Sequence, residues 1–197
     1  MRFAHVIAML MFVVGGACAG WYTFHPGPDV SVERLGRVTP GFDLTDTAGQ
    51  PRTLASYRGR AVVLVFGFTS CPEACPTELF KLAQVMKRLG SDADRVQVLM
   101  VTLDPERDSP EVLRRYVAAF DPRFGALTGT AEQLRHAAQN FSVVYTRVPI
   151  GDSYTIDHST AIYLIGPLGH HRSSEPMTTS VAELAREIQA ILADRST

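Results

Sequence analysis

Two fully apolar runs, AVVLVFGF at 61–68 and VQVLMVTL at 96–103, constrain this chain more than any other feature. A strand with one face in water alternates apolar and polar residues. Strands without that alternation are covered on both faces, which is the mark of a central strand in a sheet layered with helices. Between the runs, TELFKLAQVMKRLG places Leu79, Leu82, Ala83, Met86 and Leu89 at helical spacing, so a helix is expected over 77–89.

The rest of the chain extends the same pattern. GFDLTDTAGQPRTLASYRG at 41–59 reads as a short hairpin turning through Ala48, Gly49, Gln50 and Pro51. The loop DPERDSP at 104–110 leads into a helix over about 110–120, with Ser109 or Asp108 as N-cap and Pro110 in the first helical position. Thr130 and Gln133 have the spacing of a capping box before another helix. Strands are expected over 143–148 and 160–165, and Gly166, Pro167, Leu168 and Gly169 turn the second towards a partner near 170–175. Ser180 caps a last helix. Strands alternating with helices give an α/β sandwich, to which the late hairpin adds antiparallel edge strands.

Cys71 and Cys75 lie at the junction between the first long strand and its helix, in SCPEACP. A cysteine pair there is the thioredoxin arrangement, so a thioredoxin-like fold with an N-terminal hairpin and inserted segments is expected. The spacing is C-x-x-x-C rather than the C-x-x-C of ordinary thiol oxidoreductases. The one other cysteine, Cys18, lies in an N-terminal apolar segment, so the domain has no disulfide framework. Pro76 suits the first helical turn and biases Cys75 away from helical dihedrals, which sets Cys75 near the N-cap. Exposed amides and the helix dipole would then favour thiolate, which is both nucleophile and metal ligand.

A metal needs further donors. Among the histidines, His5 and His25 precede the domain, His136 has charged helical neighbours, and His170 with His171 follows a tight turn. His158 differs: it stands in YTIDHS, just before the 160–165 strand, in the segment that faces the cysteine loop in a thioredoxin-like fold. Two thiolates and one imidazole suit copper, because soft sulfur favours Cu(I) and imidazole accepts either oxidation state. Structural zinc normally takes four protein ligands, and no fourth has an obvious place. Phe66, Phe68, Met86 and Met100 are expected in the core.

The composition is 46% hydrophobic and 20% charged, which is globular rather than disordered. A net charge of −1 with no basic cluster gives no support for nucleic-acid binding, and no nucleic-acid partner is expected. Residues 3–24 contain no Asp, Glu, Lys or Arg; as a helix they would cover about 33 Å, enough for a bilayer core. Three fates compete: an uncleaved membrane anchor, a signal peptide cut after Ala17-Cys18-Ala19, or a lipoprotein joined through Cys18. All three carry the domain out of the cytoplasm, to the periplasmic side. The expected division is anchor or signal segment at 1–24, a polar tether with three prolines at 25–40, and the domain at 41–197.

Three motifs together, FGFTSCPEACP at 66–76, VTLDPERDSP at 101–110 and YTIDHS at 154–159, make the chain resemble the Sco/SenC family of copper-binding assembly factors for cytochrome c oxidase over about residues 38–192. The resemblance implies that Cys71, Cys75 and His158 bind one copper, as Cu(I) or Cu(II), and that the N-terminal segment is an anchor. It implies a copper metallochaperone that supports the binuclear copper centre of the oxidase. The partners would be the copper-bearing oxidase subunit and other copper chaperones or thiol reductases. It also lets Asp104 steer the site or engage a partner, against a loop-cap role, and lets Asp157 orient the imidazole, against the role of an exposed loop acid. The competing reading is a thiol–disulfide reductase using a Cys71–Cys75 disulfide on the oxidase cysteines; a copper or redox sensor is a third.

Overall fold

The two apolar runs become neighbouring parallel strands, β3 (Ala61–Gly67) and β4 (Val96–Thr102), paired in register from Ala61 opposite Val96 to Gly67 opposite Thr102. The computed structural model describes residues 40–194. The segment at 1–24, the tether up to residue 39, and His5, Cys18 and His25 lie outside the described residues. Among the described residues no helix is long and apolar enough to cross a membrane.

The other elements are β1 (Asp43–Asp46), β2 (Pro51–Thr53), α1 (Ala74–Leu89), α2 (Pro110–Ala118), β5 (Gly125–Thr128), α3 (Ala131–Asn140), β6 (Tyr145–Ile150), β7 (Ser153–His158), β8 (Ile162–Ile165), β9 (His171–Glu175) and α4 (Val181–Ala193). Seven strands form one sheet in the order β2-β1-β5-β4-β3-β8-β9, with β4 parallel to both β3 and β5 and the other pairings antiparallel. β6 and β7 form a separate two-stranded sheet.

Alternation along β3 explains its unbroken apolarity. Val63 and Val65 enter one core with Leu79, Leu82 and Met86 of α1, Leu113 of α2, and Leu184 and Ile188 of α4. Val62, Leu64 and Phe66 enter a second core with Leu134 and Ala137 of α3, Phe141, and Phe42 and Leu44 near the domain's start. Each such side chain, taken fully out of water, contributes about 1.5–3 kcal/mol. The two cores lie on opposite faces of one sheet, as the α/β expectation requires.

The local start signals hold at three helices. Ser109, Thr130 and Ser180 accept from the amides of Val112, Gln133 and Glu183, the last two completed as capping boxes. Other boundaries move. The first turn covers 47–50, with Asp46 accepting from the amides of Ala48 and Gln50 and Gly49 at φ +77°. Pro51 instead opens β2, an edge strand, where a missing N–H costs no ladder bond. The expected 143–148 strand begins at Tyr145 and continues through Pro149 into the tip of a hairpin. Its partner β7 and the four-residue β5 were not read from the sequence.

Candidate metal centre

The site is assembled at the end of the sheet where β3 and β4 finish. After Gly67 the chain turns, with the Cys71 amide donating to the Phe68 carbonyl at 3.2 Å, and α1 begins at Ala74. Cys75 is therefore the second residue of the helix and not its cap, so Pro76 has not kept it out of helical geometry. The Cys75 amide donates to Cys71 Sγ at 3.4 Å. Both cysteines are free; Cys71 is half-buried and Cys75 buried. The Cys75 sulfur fills the space a side chain on Gly67 would need: a Cβ there would lie 2.7 Å from Sγ. Glycine at 67 is a packing requirement of the thiol.

Burial also corrects the expected charge of this sulfur. Desolvation pushes the Cys75 thiol well up from its ordinary value, and the neighbouring Cys71 adds to the rise. A helix N-terminus offers a fraction of a unit charge, which does not offset the loss of water around a buried anion. Without metal, Cys75 is held as a neutral thiol, and a metal would have to displace its proton.

Glu78, one helical turn on, is 4% exposed, and its Oε1 has no hydrogen-bond partner. Burial lifts its carboxyl to about 7, with Lys81 pulling the other way. The folded chain thus keeps Glu78 protonated where the unfolded chain ionises it, and stability falls as pH rises through that interval. Glu78→Gln is expected to gain up to about 3 kcal/mol above about pH 7 and nothing below about pH 4. Urea unfolding at both pH values tests this; an equal gain at both would mean that ionisation is not the cause.

The β6–β7 hairpin supplies the facing wall. Its register pairs Tyr145 with His158, Arg147 with Ile156 and Pro149 with Tyr154, so these six side chains share one face. Ile156 on that face is buried, while Val148 and Ile150 on the other are exposed. His158 stands at the end of β7 with its ring edge-on to Phe68, centroids 6.1 Å apart. Its Nδ1 lies 3.0 Å from the Ser159 carbonyl. A carbonyl only accepts, so Nδ1 is the donor, and in the neutral ring the lone pair then sits on Nε2, where a ligand can use it.

The structure thus joins Cys71 to Cys75 directly and brings His158 to the same loop through Phe68. Among the described residues no three His, Cys, Asp or Glu side chains form a ready metal cluster. The imidazole would have to move towards the sulfurs to complete a two-sulfur, one-nitrogen set. Asp157 does not orient it: one residue out of phase, Asp157 lies on the opposite, exposed face, and the Ser159 main chain holds the ring instead. Asp104 is 1% exposed, ion-paired with Arg107 and accepting from the Tyr154 hydroxyl at 2.8 Å. It braces the hairpin against the 104–110 loop. His171 is held by the Ser174 hydroxyl at 2.9 Å, on the edge strand β9.

Asp108 is the residue that sequence reasoning missed, having been assigned only as a possible cap. It is buried, accepting from the Thr69 amide at 3.1 Å, the Thr69 hydroxyl at 2.5 Å and the Thr102 hydroxyl at 2.6 Å. It ties the cysteine loop to the end of β4. The signal available was Thr69, a hydroxyl donor two residues before Cys71 that needs a partner once the loop is buried.

The SCO1/SenC family pattern matches residues 32–193. The mouse protein SCO2 homolog, mitochondrial, is 41% identical over 162 residues, which are 77% of this chain and 64% of that protein. This chain therefore spans less than two thirds of that relative's length. Among solved structures, copper-bound Bradyrhizobium japonicum ScoI is similar at a TM-score of 0.72 and 34% identity, covering 78% of this chain and 99% of the other. Copper-bound yeast Sco1 is similar at 0.70 and 32%, covering 77% and 86%. A match that takes in both cysteines, the 104–110 loop and His158, on a thioredoxin-like sheet of this topology, makes the chain a member of the SCO1/SenC family.

Proposed function

We propose that this chain is a copper metallochaperone. It binds one copper as cargo through Cys71, Cys75 and His158, outside the cytoplasm, and delivers it to the binuclear copper centre of cytochrome c oxidase. The observation that carries this reading is His158 beside Phe68 of the cysteine loop with Nδ1–H committed to a carbonyl, which leaves Nε2 available as a donor on the wall beside that loop. Disulfide exchange has no use for that nitrogen, whereas copper does. The copper in the relatives from Bradyrhizobium japonicum and yeast supports the choice of ion. Family membership supports the oxidase as destination. Transfer would proceed by ligand exchange, with incoming thiolates and imidazoles replacing the three donors. The apolar segment at 3–24 would hold the domain at the membrane surface.

One feature favours a second role for the same thiols. Cys71 is reachable from solvent and Cys75 lies behind it, the order of an attacking and a resolving sulfur in a thiol–disulfide reductase.

His158→Ala separates the two. It is expected to weaken copper retention, impair oxidase assembly in cells at low copper, and leave Cys71–Cys75 disulfide exchange intact. The measurements are oxidase activity of cells carrying the variant and thiol-exchange rate of the purified chain. Fully active oxidase at low copper would overturn the chaperone reading and leave the reductase.

A further inference from the structure

The hairpin that presents His158 has no ladder bond to the main sheet, so side chains determine where it sits. Beyond buried Ile156, the attachment centres on Tyr154. Its ring is stacked between two guanidinium groups, Arg107 at 3.8 Å and Arg147 at 3.9 Å from the centroid. Its hydroxyl donates to Asp104 at 2.8 Å, and its carbonyl accepts from Arg107 Nη1 at 2.9 Å. Arg107 is paired in turn with Asp104, and Arg147 with Glu106 at 2.7 Å. Arg107 Nη2 is buried without a hydrogen-bond partner, while the face of the same guanidinium lies on the Tyr154 ring.

These contacts belong to one connected frame. The Asp104 amide donates to the Thr102 hydroxyl at 2.9 Å, and that hydroxyl donates to Asp108, which also holds Thr69. The thiol loop and the imidazole hairpin are thus referred to the same point, the end of β4. Tyr154 and His158 lie four residues apart on one face of β7, about 13 Å at the rise of a strand. A paired strand over that distance transmits a displacement at one end to the other.

We propose that Arg107 and Tyr154 are positioning residues for copper binding, fixing the distance from the His158 imidazole to the Cys71 and Cys75 sulfurs. Neither touches the metal; they act through the strand. This rests on the copper reading above, and its effect has to disappear when His158 is absent.

The test is a double-mutant cycle on the full chain, read by competition for Cu(I) with a chromophoric chelator and by the thiolate-to-copper charge-transfer absorption with Cu(II). Tyr154→Phe keeps the stacking and loses the hydroxyl; Arg107→Lys keeps the charge and loses the planar stack. Each is expected to bind Cu(I) about tenfold more weakly and to shift the absorption band, the scale of one hydrogen bond to a charged group. Combined with His158→Ala, neither should weaken binding further than His158→Ala alone. Losses that add in full to that of His158→Ala overturn the proposal, because the residues would then act on the fold generally. Wild-type affinity and band in both single variants overturn it as well. Wild-type affinity in His158→Ala alone overturns the ligand assignment beneath it, and that variant identifies this outcome by itself. Amide exchange across 145–158 detects a hairpin that has come loose; a loosened hairpin with unchanged copper affinity also refutes the positioning role.

Discussion

Serine at Cys71 or at Cys75 is expected to end tight copper binding. A hydroxyl is a harder and more weakly acidic donor than a thiol, and its removal from the set leaves one sulfur and one imidazole. The loss should exceed the roughly 100-fold that removal of an outer partner of a ligand costs. The two variants should differ in stability. Cys71 is half-buried, so serine there can be solvated. Cys75 packs against Gly67 in the core, where a hydroxyl replacing the sulfur would lie without an assigned acceptor, at a cost of about 1–2 kcal/mol. Copper per chain after gel filtration, and affinity by chelator competition, measure the first effect; urea unfolding measures the second. One copper per chain at wild-type affinity in either variant would remove that sulfur from the site.

Asp108→Ala is expected to be among the most destabilising single substitutions in the domain, at about 4 kcal/mol. The carboxylate accepts from one amide and two hydroxyls. Thr102 is fully buried, so its hydroxyl cannot turn to water when the acceptor is lost. Asp108→Asn keeps one carbonyl oxygen and should fall between wild type and alanine. Denaturant unfolding of the three chains checks the order. A loss below about 1 kcal/mol for the alanine variant would show that the donors find other partners, since that is the size of one ordinary hydrogen bond. Copper affinity should fall in parallel, because Thr69 is two residues from Cys71.

The parts legible in the sequence are those set by local chemistry or by burial on both faces. β3 and β4 have no alternation to misread, and the capping residues Ser109, Thr130 and Ser180 act within one helical turn. Cys71, Cys75 and His158 stand out as candidates because thiols and imidazole are scarce in this chain and carry specific chemistry, and the structure brings them to one end of the sheet. The rest depends on distant contacts. β7 is largely polar, and its hairpin includes Pro149; stacking of Arg107 and Arg147 on Tyr154 helps hold it, and Arg107 is 47 residues away from that ring. Asp108 reads as a helix cap because the partner that ties it to the cysteine loop, Thr69, is 39 residues upstream. For Asp157 adjacency in sequence left two readings open, and the strand decides for the exposed acid, because on a strand the adjacent residue faces the other way. The neutral state of Cys75 follows from packing around it, which no motif encodes.

The tie between His158 Nδ1 and the Ser159 carbonyl has an evolutionary consequence. The acceptor is main chain, so a change of side chain at position 159 leaves the acceptor atom itself in place. The hydrogen bond that holds the ring therefore does not depend on the chemical type of its neighbour's side chain. The sulfur of Cys75 has no such protection, because its space exists only while residue 67 has no side chain. A lineage that loses copper handling through single changes should accumulate them around Gly67 and the thiols before it touches the hold on the imidazole.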